Sequence, residues 1–158
     1  MFESLQSPRA RIVRVFIVAA VTFVVGKWVL RPMMIDGASM EPTYPRSGFM
    51  FCNMLAYHGN PPKRGDVVLL RYGGSKWFLF KRLIAFAGET VEFRDGVCFV
   101  DGKPLDEPYV VNNARWTVPP RKVSSGNVYV MGDNRGVRFE SHVGGEISAS
   151  RIAGRPLW

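Results

Sequence analysis

The hydrophobic pattern of the chain changes character near residue 31. Within Ile12–Leu30 nearly every residue is apolar, and the charged residues Arg14 and Lys27 lie near its two ends. These nineteen residues would span about 28 Å as a helix, close to the hydrocarbon thickness of a bilayer. The pattern predicts a membrane-spanning anchor at 12–31 after a short tail at 1–11.

A cleaved signal peptide and a buried core helix are the alternatives for this segment. No pair of small residues with cleavage-site spacing follows Val25, and Lys27, Trp28 and Arg31 occupy that region instead. An uncleaved anchor is therefore favoured. Three basic residues precede the apolar segment and two follow it. This bias predicts a cytoplasmic N-terminus and a single pass, with the rest of the chain on the extracytoplasmic face.

The pattern after Pro32 is one of short alternating runs separated by Gly, Pro and Asp-Gly turns, which predicts a mainly β domain over 32–158. Turns at Asp95-Gly96 and Asp101-Gly102 indicate a small β insertion at about 90–126. Its last part, from residue 112, has Pro119-Pro120 and is predicted to be a loop. The predicted strands are Met33–Asp36, Asp66–Tyr72, Trp77–Ala85, Thr90–Phe93, Val97–Val100 and Asn127–Met131.

Composition favours a membrane over nucleic acid as the partner. Residues 1–31 hold five Lys or Arg against one Glu, a net +4 of the formal +8. The other basic residues are scattered and have no interleaved aromatic residues, so we expect no nucleic-acid partner. Cys52 and Cys98 have no metal-ligand spacing, and we expect no metal. A disulfide between them stays open, although free thiols are favoured.

Two residues suggest covalent chemistry. Ser39 follows the apolar segment closely, and Lys81 lies within the apolar run Phe78–Ile84. A serine hydroxyl attacks a carbonyl only when a base removes its proton, and a lysine can be that base if burial favours its neutral amine. The pair predicts a serine hydrolase with a lysine base.

Four motifs in order carry a family resemblance. They are Gly37-Ala38-Ser39-Met40-Glu41-Pro42-Thr43, Arg64-Gly65-Asp66-Val67-Val68, Lys81-Arg82-Leu83-Ile84-Ala85-Phe86-Ala87-Gly88-Glu89 and Gly132-Asp133-Asn134-Arg135. Behind an apolar segment, they make the chain resemble type I signal peptidases. The resemblance implies an antiparallel β catalytic core with a small β insertion, and no cofactor. It also implies a Ser-Lys dyad in which Ser39 is the nucleophile and Lys81 the general base.

The resemblance further implies the supporting and substrate-binding residues. The Ser39 N–H is the expected oxyanion donor, and Gly37 stands where some relatives have a serine. Supporting roles are expected for Gly37, Met40, Arg82, Asp133, Asn134, Glu140 and Ser141. Substrate would add as a strand along the groove lined by Met34, Ile35, Asp36, Phe78, Leu79 and Phe80. Small pockets there would select Ala-x-Ala-like sites in the signal peptides of exported preproteins, at the plasma (inner) membrane.

Departures from the family pattern keep other readings open. Arg138, Glu140 and His142 stand where the family has a serine, an aspartate and an arginine. A guanidinium of Arg138 within about 6 Å of Lys81 would lower the pKa of that lysine. The alternatives are a specialised or organellar processing peptidase, a catalytically silent peptide-binding homologue, and a hydrolase that uses His58 or His142 as its base.

Overall fold

The chain begins with a helix whose start and end follow local rules. The computed structural model describes residues 7–72, 77–111, 113–136, 138–139, 142 and 144–157. Helix α1, Pro8–Val24, begins where the Ser7 side chain accepts a hydrogen bond from the Ala10 N–H at 3.2 Å. It continues as a π-wound turn, Val25–Val29. The combined 22-residue segment is long and apolar enough to cross a membrane, and none of it is buried.

The bounds of this helix differ from the predicted anchor. The helix begins four residues earlier, at Pro8 rather than residue 12, and ends at Val29. Leu30 and Arg31 belong to the first strand, where they pair with Asn53 and Cys52. The apolar pattern could not locate this end, because apolar residues suit both a membrane helix and the strand that follows.

The strands form two antiparallel sheets, which confirms the predicted β architecture with a small β insertion. The larger sheet has the order β1-β2-β11-β3-β4-β9-β10, and the smaller has the order β7-β6-β5-β8. The strands are β1 Leu30–Asp36, β2 Ser47–Asn53, β3 Val67–Tyr72, β4 Trp77–Phe86, β5 Thr90–Arg94, β6 Val97–Val100, β7 Lys103–Pro104, β8 Val118–Lys122, β9 Asn127–Met131, β10 Gly145–Ser148 and β11 Ile152–Pro156.

Strand β8 corrects the prediction of a loop after residue 112. It pairs with β5 at the edge of the small sheet, where a proline's missing N–H is tolerated. The register shifts between the pairs Arg121↔Val91 and Val118↔Phe93, so Pro119 and Pro120 lie within the irregularity. Strands β2, β7, β10 and β11 are also absent from the predicted set.

The hydrophobic core lies on both sides of the larger sheet. The small sheet packs onto β4 and β9 through Phe93, Trp116 and Tyr129, among others. A second cluster joins β1, β2 and β3 and includes Met40, which is 3% exposed. Burying one such side chain contributes roughly 1.5–3 kcal/mol. Cys52 and Cys98 lie in separate clusters as free, buried thiols.

Candidate active site

The turn that carries Ser39 follows directly after β1. The Gly37 N–H donates to the Arg46 carbonyl oxygen at 2.8 Å, and Gly37 has a φ of +134°. That conformation favours glycine. The next three residues form a single 3₁₀ turn, Ala38–Met40, whose last side chain is buried in the core. The turn is therefore anchored at both ends, and Ser39 lies at its centre.

The Gly132–Asn134 segment holds this turn from the other side. A Cβ atom on Gly132 would lie 2.2 Å from the Ser39 carbonyl oxygen, so only glycine fits. The Asn134 N–H donates to that oxygen at 3.1 Å, and its side-chain amide donates to the Ala38 carbonyl oxygen at 3.0 Å. Asn134 thus donates to two carbonyl oxygens of the turn, and the Ala38 oxygen also accepts the hydrogen bond of the 3₁₀ turn from the Glu41 N–H at 3.2 Å.

Lys81 lies on β4, between β3 and the end of β9. It pairs with Val68 on β3. On the other side, the β4–β9 ladder ends at the pair Arg82↔Met131. Lys81 precedes Arg82 and Gly132 follows Met131, and the Ser39 turn packs on Gly132. Both predicted dyad residues therefore belong to segments that meet the same end of this ladder.

Burial changes the acid–base chemistry of Lys81. Its side chain is 2% exposed. This desolvation lowers the pKa of Lys81 from 10.5 to about 8, and the negative charge of Asp133 partly opposes the shift. The hypothesis that Arg138 tunes Lys81 is wrong, because Arg138 is exposed and Asp133 is the charge that acts on the lysine.

Asp133 is the centre of a buried polar network. It accepts hydrogen bonds from Nε of Arg82 at 2.9 Å, from a terminal nitrogen of the same guanidinium, and from the Thr43 hydroxyl at 2.5 Å. Arg82 also donates to the Gly65 carbonyl oxygen at 2.8 Å, and its guanidinium lies 3.9 Å from the Tyr109 ring centroid. The network joins the segment after Ser39 to β4 and to the end of β9.

A second buried cation supports the same loop. Arg135 is fully buried, and its Nε donates to the Gly132 carbonyl oxygen at 2.7 Å. Its guanidinium pairs with Glu107 at 2.6 Å. The predicted site residues did not include Arg135, Glu107, Gly132 or Thr43. Thr43, Gly132 and Arg135 lie inside the motifs, so the motifs could have indicated them. Glu107 lies in the insertion, outside every motif, and the sequence did not indicate a role for it.

A small pocket lies beside Ser39. Its volume is about 50 Å³. All six predicted groove residues line it, together with Gly37, Ser39, Met40 and Tyr44. Two strands offer open backbone here, because β1 is at the sheet edge and β9 pairs with β4 only from Arg82 to Phe86. The pocket can therefore accept an extended chain and small side chains.

The histidines differ from each other. His58 is exposed. His142 packs edge-to-face on Trp116 at a centroid distance of 4.7 Å, and its two nitrogens are buried without a hydrogen-bond partner among the described residues. Burial, and then the positive charges of Lys81 and Arg135, lower the pKa of His142 to about 4. Such an imidazole is a weak base.

Two of the predicted supporting residues, Glu140 and Ser141, lie outside the described residues. In the part of the chain that is described, no three His, Cys, Asp or Glu side chains are grouped as metal ligands.

Comparison with known proteins places the chain in a family. The model of the family described as "Signal peptidase, peptidase S26" matches residues 9–158. A crystal structure of a signal peptidase I from Enterococcus faecalis V583 aligns with a TM-score of 0.49 and 26% identity, over 60% of this chain and 95% of that one.

Proteins of known sequence give the same assignment. The probable signal peptidase I-1 of Synechocystis is 34% identical over 140 residues, covering 83% of this chain and 71% of that protein. Signal peptidase I of Bacillus amyloliquefaciens is 32% identical over 151 residues, covering 89% and 78%. The family match and these identities show that the chain belongs to the signal peptidase family, peptidase S26.

Proposed function

We propose that this chain is a membrane-anchored serine endopeptidase that removes signal peptides from exported preproteins, with Ser39 as nucleophile and Lys81 as general base. The observation that carries the proposal is the burial of Lys81 one residue beyond the end of the β4–β9 ladder, the end where Gly132 contacts the Ser39 turn. With a pKa of about 8, about a tenth of this lysine is neutral at pH 7. No metal or cofactor is required.

The chemistry follows from the two side chains. The neutral Lys81 amine takes the hydroxyl proton as Ser39 Oγ bonds to the scissile carbonyl carbon. The carbonyl π electrons move onto oxygen, and the Ser39 N–H donates to this oxyanion. The tetrahedral intermediate collapses, the C–N bond breaks, and the Lys81 ammonium gives its proton to the leaving amine. Lys81 then takes a proton from water as the water oxygen bonds to the acyl carbon. The ester bond between this carbon and Ser39 Oγ breaks, the Lys81 ammonium returns a proton to Oγ, and the carboxyl product leaves.

Substrate binding uses the open backbone of two strands. The residues before the cleavage site would pair with the free edge of β1 and with the part of β4 that β9 leaves uncovered. The pocket is small, with a volume of about 50 Å³, which favours small side chains. Its apolar lining favours methyl groups, so we infer cleavage after Ala-x-Ala-like sites.

The other motif residues position the Ser39 turn and the strand that carries Lys81. Asn134 and Gly132 hold the carbonyl side of the Ser39 turn, while Asp133 and Arg82 fix the strand next to Lys81. Glu140 and Ser141 keep the supporting roles that the resemblance implies.

The location follows from the anchor and the substrate. We infer a plasma (inner) membrane protein with a cytoplasmic N-terminus and an extracytoplasmic catalytic domain, where exported preproteins emerge. Exposed apolar side chains near the anchor support a domain that faces the bilayer: Met34 is 76% exposed, and Phe49 is 56% exposed.

Mass spectrometry of the products from an Ala-x-Ala preprotein tests the proposal. The full chain in detergent should cut after the second alanine, whereas Ser39→Ala and Lys81→Met should give no product. The exposed Ser125→Ala and Lys103→Met are matched controls that should cut normally. Wild-type inactivity would favour a silent homologue, and cleavage confined to a few preproteins would favour a specialised peptidase.

A further inference from the structure

A cleft lies where the apolar helix meets the larger sheet, away from the Ser39 pocket. Its volume is about 650 Å³. Three cations, Lys27, Arg31 and Arg71, line it together with His58 and apolar residues such as Trp28. Among the described residues that line it, none carries a carboxylate. The cleft therefore combines positive charge with an apolar surface.

The cleft is held in place by hydrogen bonds. The helix runs directly into β1, and the Val29 carbonyl oxygen accepts a hydrogen bond from the Met54 N–H at 2.8 Å. Leu30 then pairs with Asn53 in the β1–β2 ladder. Lys27 and Trp28 lie in the final turn of the apolar segment, so the cleft opens at the level where a bilayer changes from hydrocarbon to headgroups.

The positive charges in the cleft have no acidic partner. Arg71 lies directly opposite Phe78 in the β3–β4 ladder. The Arg31 guanidinium is 5.3 Å from the centroid of the Phe78 ring. No ion pair within the described ranges involves Lys27, Arg31 or Arg71. Arg31 and Arg71 line the same cleft, so their positive charges repel each other, and an anion bound in the cleft would relieve this repulsion.

We propose that this cleft binds the phosphate-containing headgroup of one anionic phospholipid. Guanidinium groups match phosphate oxygens in geometry and charge, so Arg31 and Arg71 would hold the phosphate. Lys27 adds charge at the headgroup level, while Trp28 contacts the glycerol region. A zwitterionic headgroup carries its own positive group, so it would bind this cationic cleft less tightly. The bound lipid would fix the height of β1, and of the turn that follows it, above the bilayer.

Native mass spectrometry of the full chain in detergent micelles tests this proposal. Titration with phosphatidylglycerol should give a complex that retains one lipid, at concentrations where phosphatidylcholine is not retained. The double variant Arg31→Gln/Arg71→Gln should weaken this retention by roughly tenfold or more. The charge-conserving pair Arg31→Lys/Arg71→Lys should stay much closer to the wild type.

A matched control variant distinguishes lipid binding in this cleft from general electrostatic attraction between the basic chain and an anionic lipid. The pair Lys103→Gln/Arg115→Gln removes the same charge from exposed positions associated with the small sheet. This control should retain phosphatidylglycerol like the wild type, and inorganic phosphate at a tenfold molar excess over lipid should not displace it. Equal retention of the two lipids, or equal loss in the control, would overturn the proposal. Displacement by inorganic phosphate would mean a free-phosphate site instead. Unfolding midpoints identify any variant that loses lipid by misfolding.

Discussion

The backbone of Ser39 lies against Gly132 so closely that a β-carbon on Gly132 would be 2.2 Å from the Ser39 carbonyl oxygen. Gly132 directly follows Met131, which pairs with Arg82, the residue after Lys81 on β4. The glycine after β9 therefore lies between the strand that carries the proposed base and the turn that carries the proposed nucleophile.

The close contact at Gly132 predicts a selective loss of activity. Gly132→Ala should lower kcat/KM at least 100-fold, because the added methyl group displaces the Ser39 turn, and a 1 Å shift is enough for such a loss. The free energy of unfolding should fall by about 1–3 kcal/mol. At Gly48 a β-carbon meets only Pro45, at 3.6 Å, so Gly48→Ala is the matched control. Wild-type activity in Gly132→Ala would contradict the proposed arrangement.

The pKa of Lys81 predicts the pH dependence of cleavage. The base must be neutral, and burial lowers its pKa to about 8. The value of kcat/KM should therefore rise tenfold per pH unit below 8 and level off above it. His142→Gln should leave this rise of kcat/KM with pH unchanged. Burial already keeps the His142 imidazole neutral, with a pKa of about 4. A rise of kcat/KM centred near pH 6.5 that disappears in His142→Gln would identify a histidine base instead.

Burial of Lys81 also predicts a stability effect that is independent of catalysis. The folded pKa of about 8 lies below the ordinary value of 10.5, so the unfolded chain binds more protons between these pH values. Stability should rise as the pH increases through this window. Lys81→Met should raise the free energy of unfolding at pH 7 by about 1–3 kcal/mol and remove the rise. Urea unfolding at pH 7 and pH 10 measures both effects, with the exposed Lys103→Met as control.

The Asp133 hydrogen-bond network predicts a variant that loses stability as well as activity. Asp133→Asn keeps the shape of the side chain but leaves the Arg82 guanidinium without its buried counter-charge. The free energy of unfolding should fall by about 3–5 kcal/mol, as for other broken buried pairs. Activity should fall as well, because Arg82 is adjacent to Lys81 on β4. Asp106→Asn, at an exposed position, should change neither quantity. Unchanged stability in Asp133→Asn would mean that Arg82 finds another partner.

Local patterns were sufficient to predict the helix, although not its ends, and to select Ser39 and Lys81 as the proposed dyad. An apolar segment of membrane length is visible in any sequence, and the motifs around Ser39 and Lys81 are contiguous. The predicted strands lie within or overlap observed ones for the same reason, since alternation is a property of neighbouring residues. The sequence alone thus determined the fold class, the family and six residues that line the pocket beside Ser39.

Long-range pairing decided the rest. Strand β11 lies between β2 and β3, and β8 became a strand, despite two prolines, because β5 offered it an edge. Counting along the motif placed Arg138 near Lys81, yet a side chain's direction depends on how the loop packs, and Arg138 is exposed. The low pKa of Lys81 likewise comes from its burial in the folded domain. Apolar neighbours in sequence indicate that a lysine can be buried, but only tertiary packing removes the water that would keep it charged.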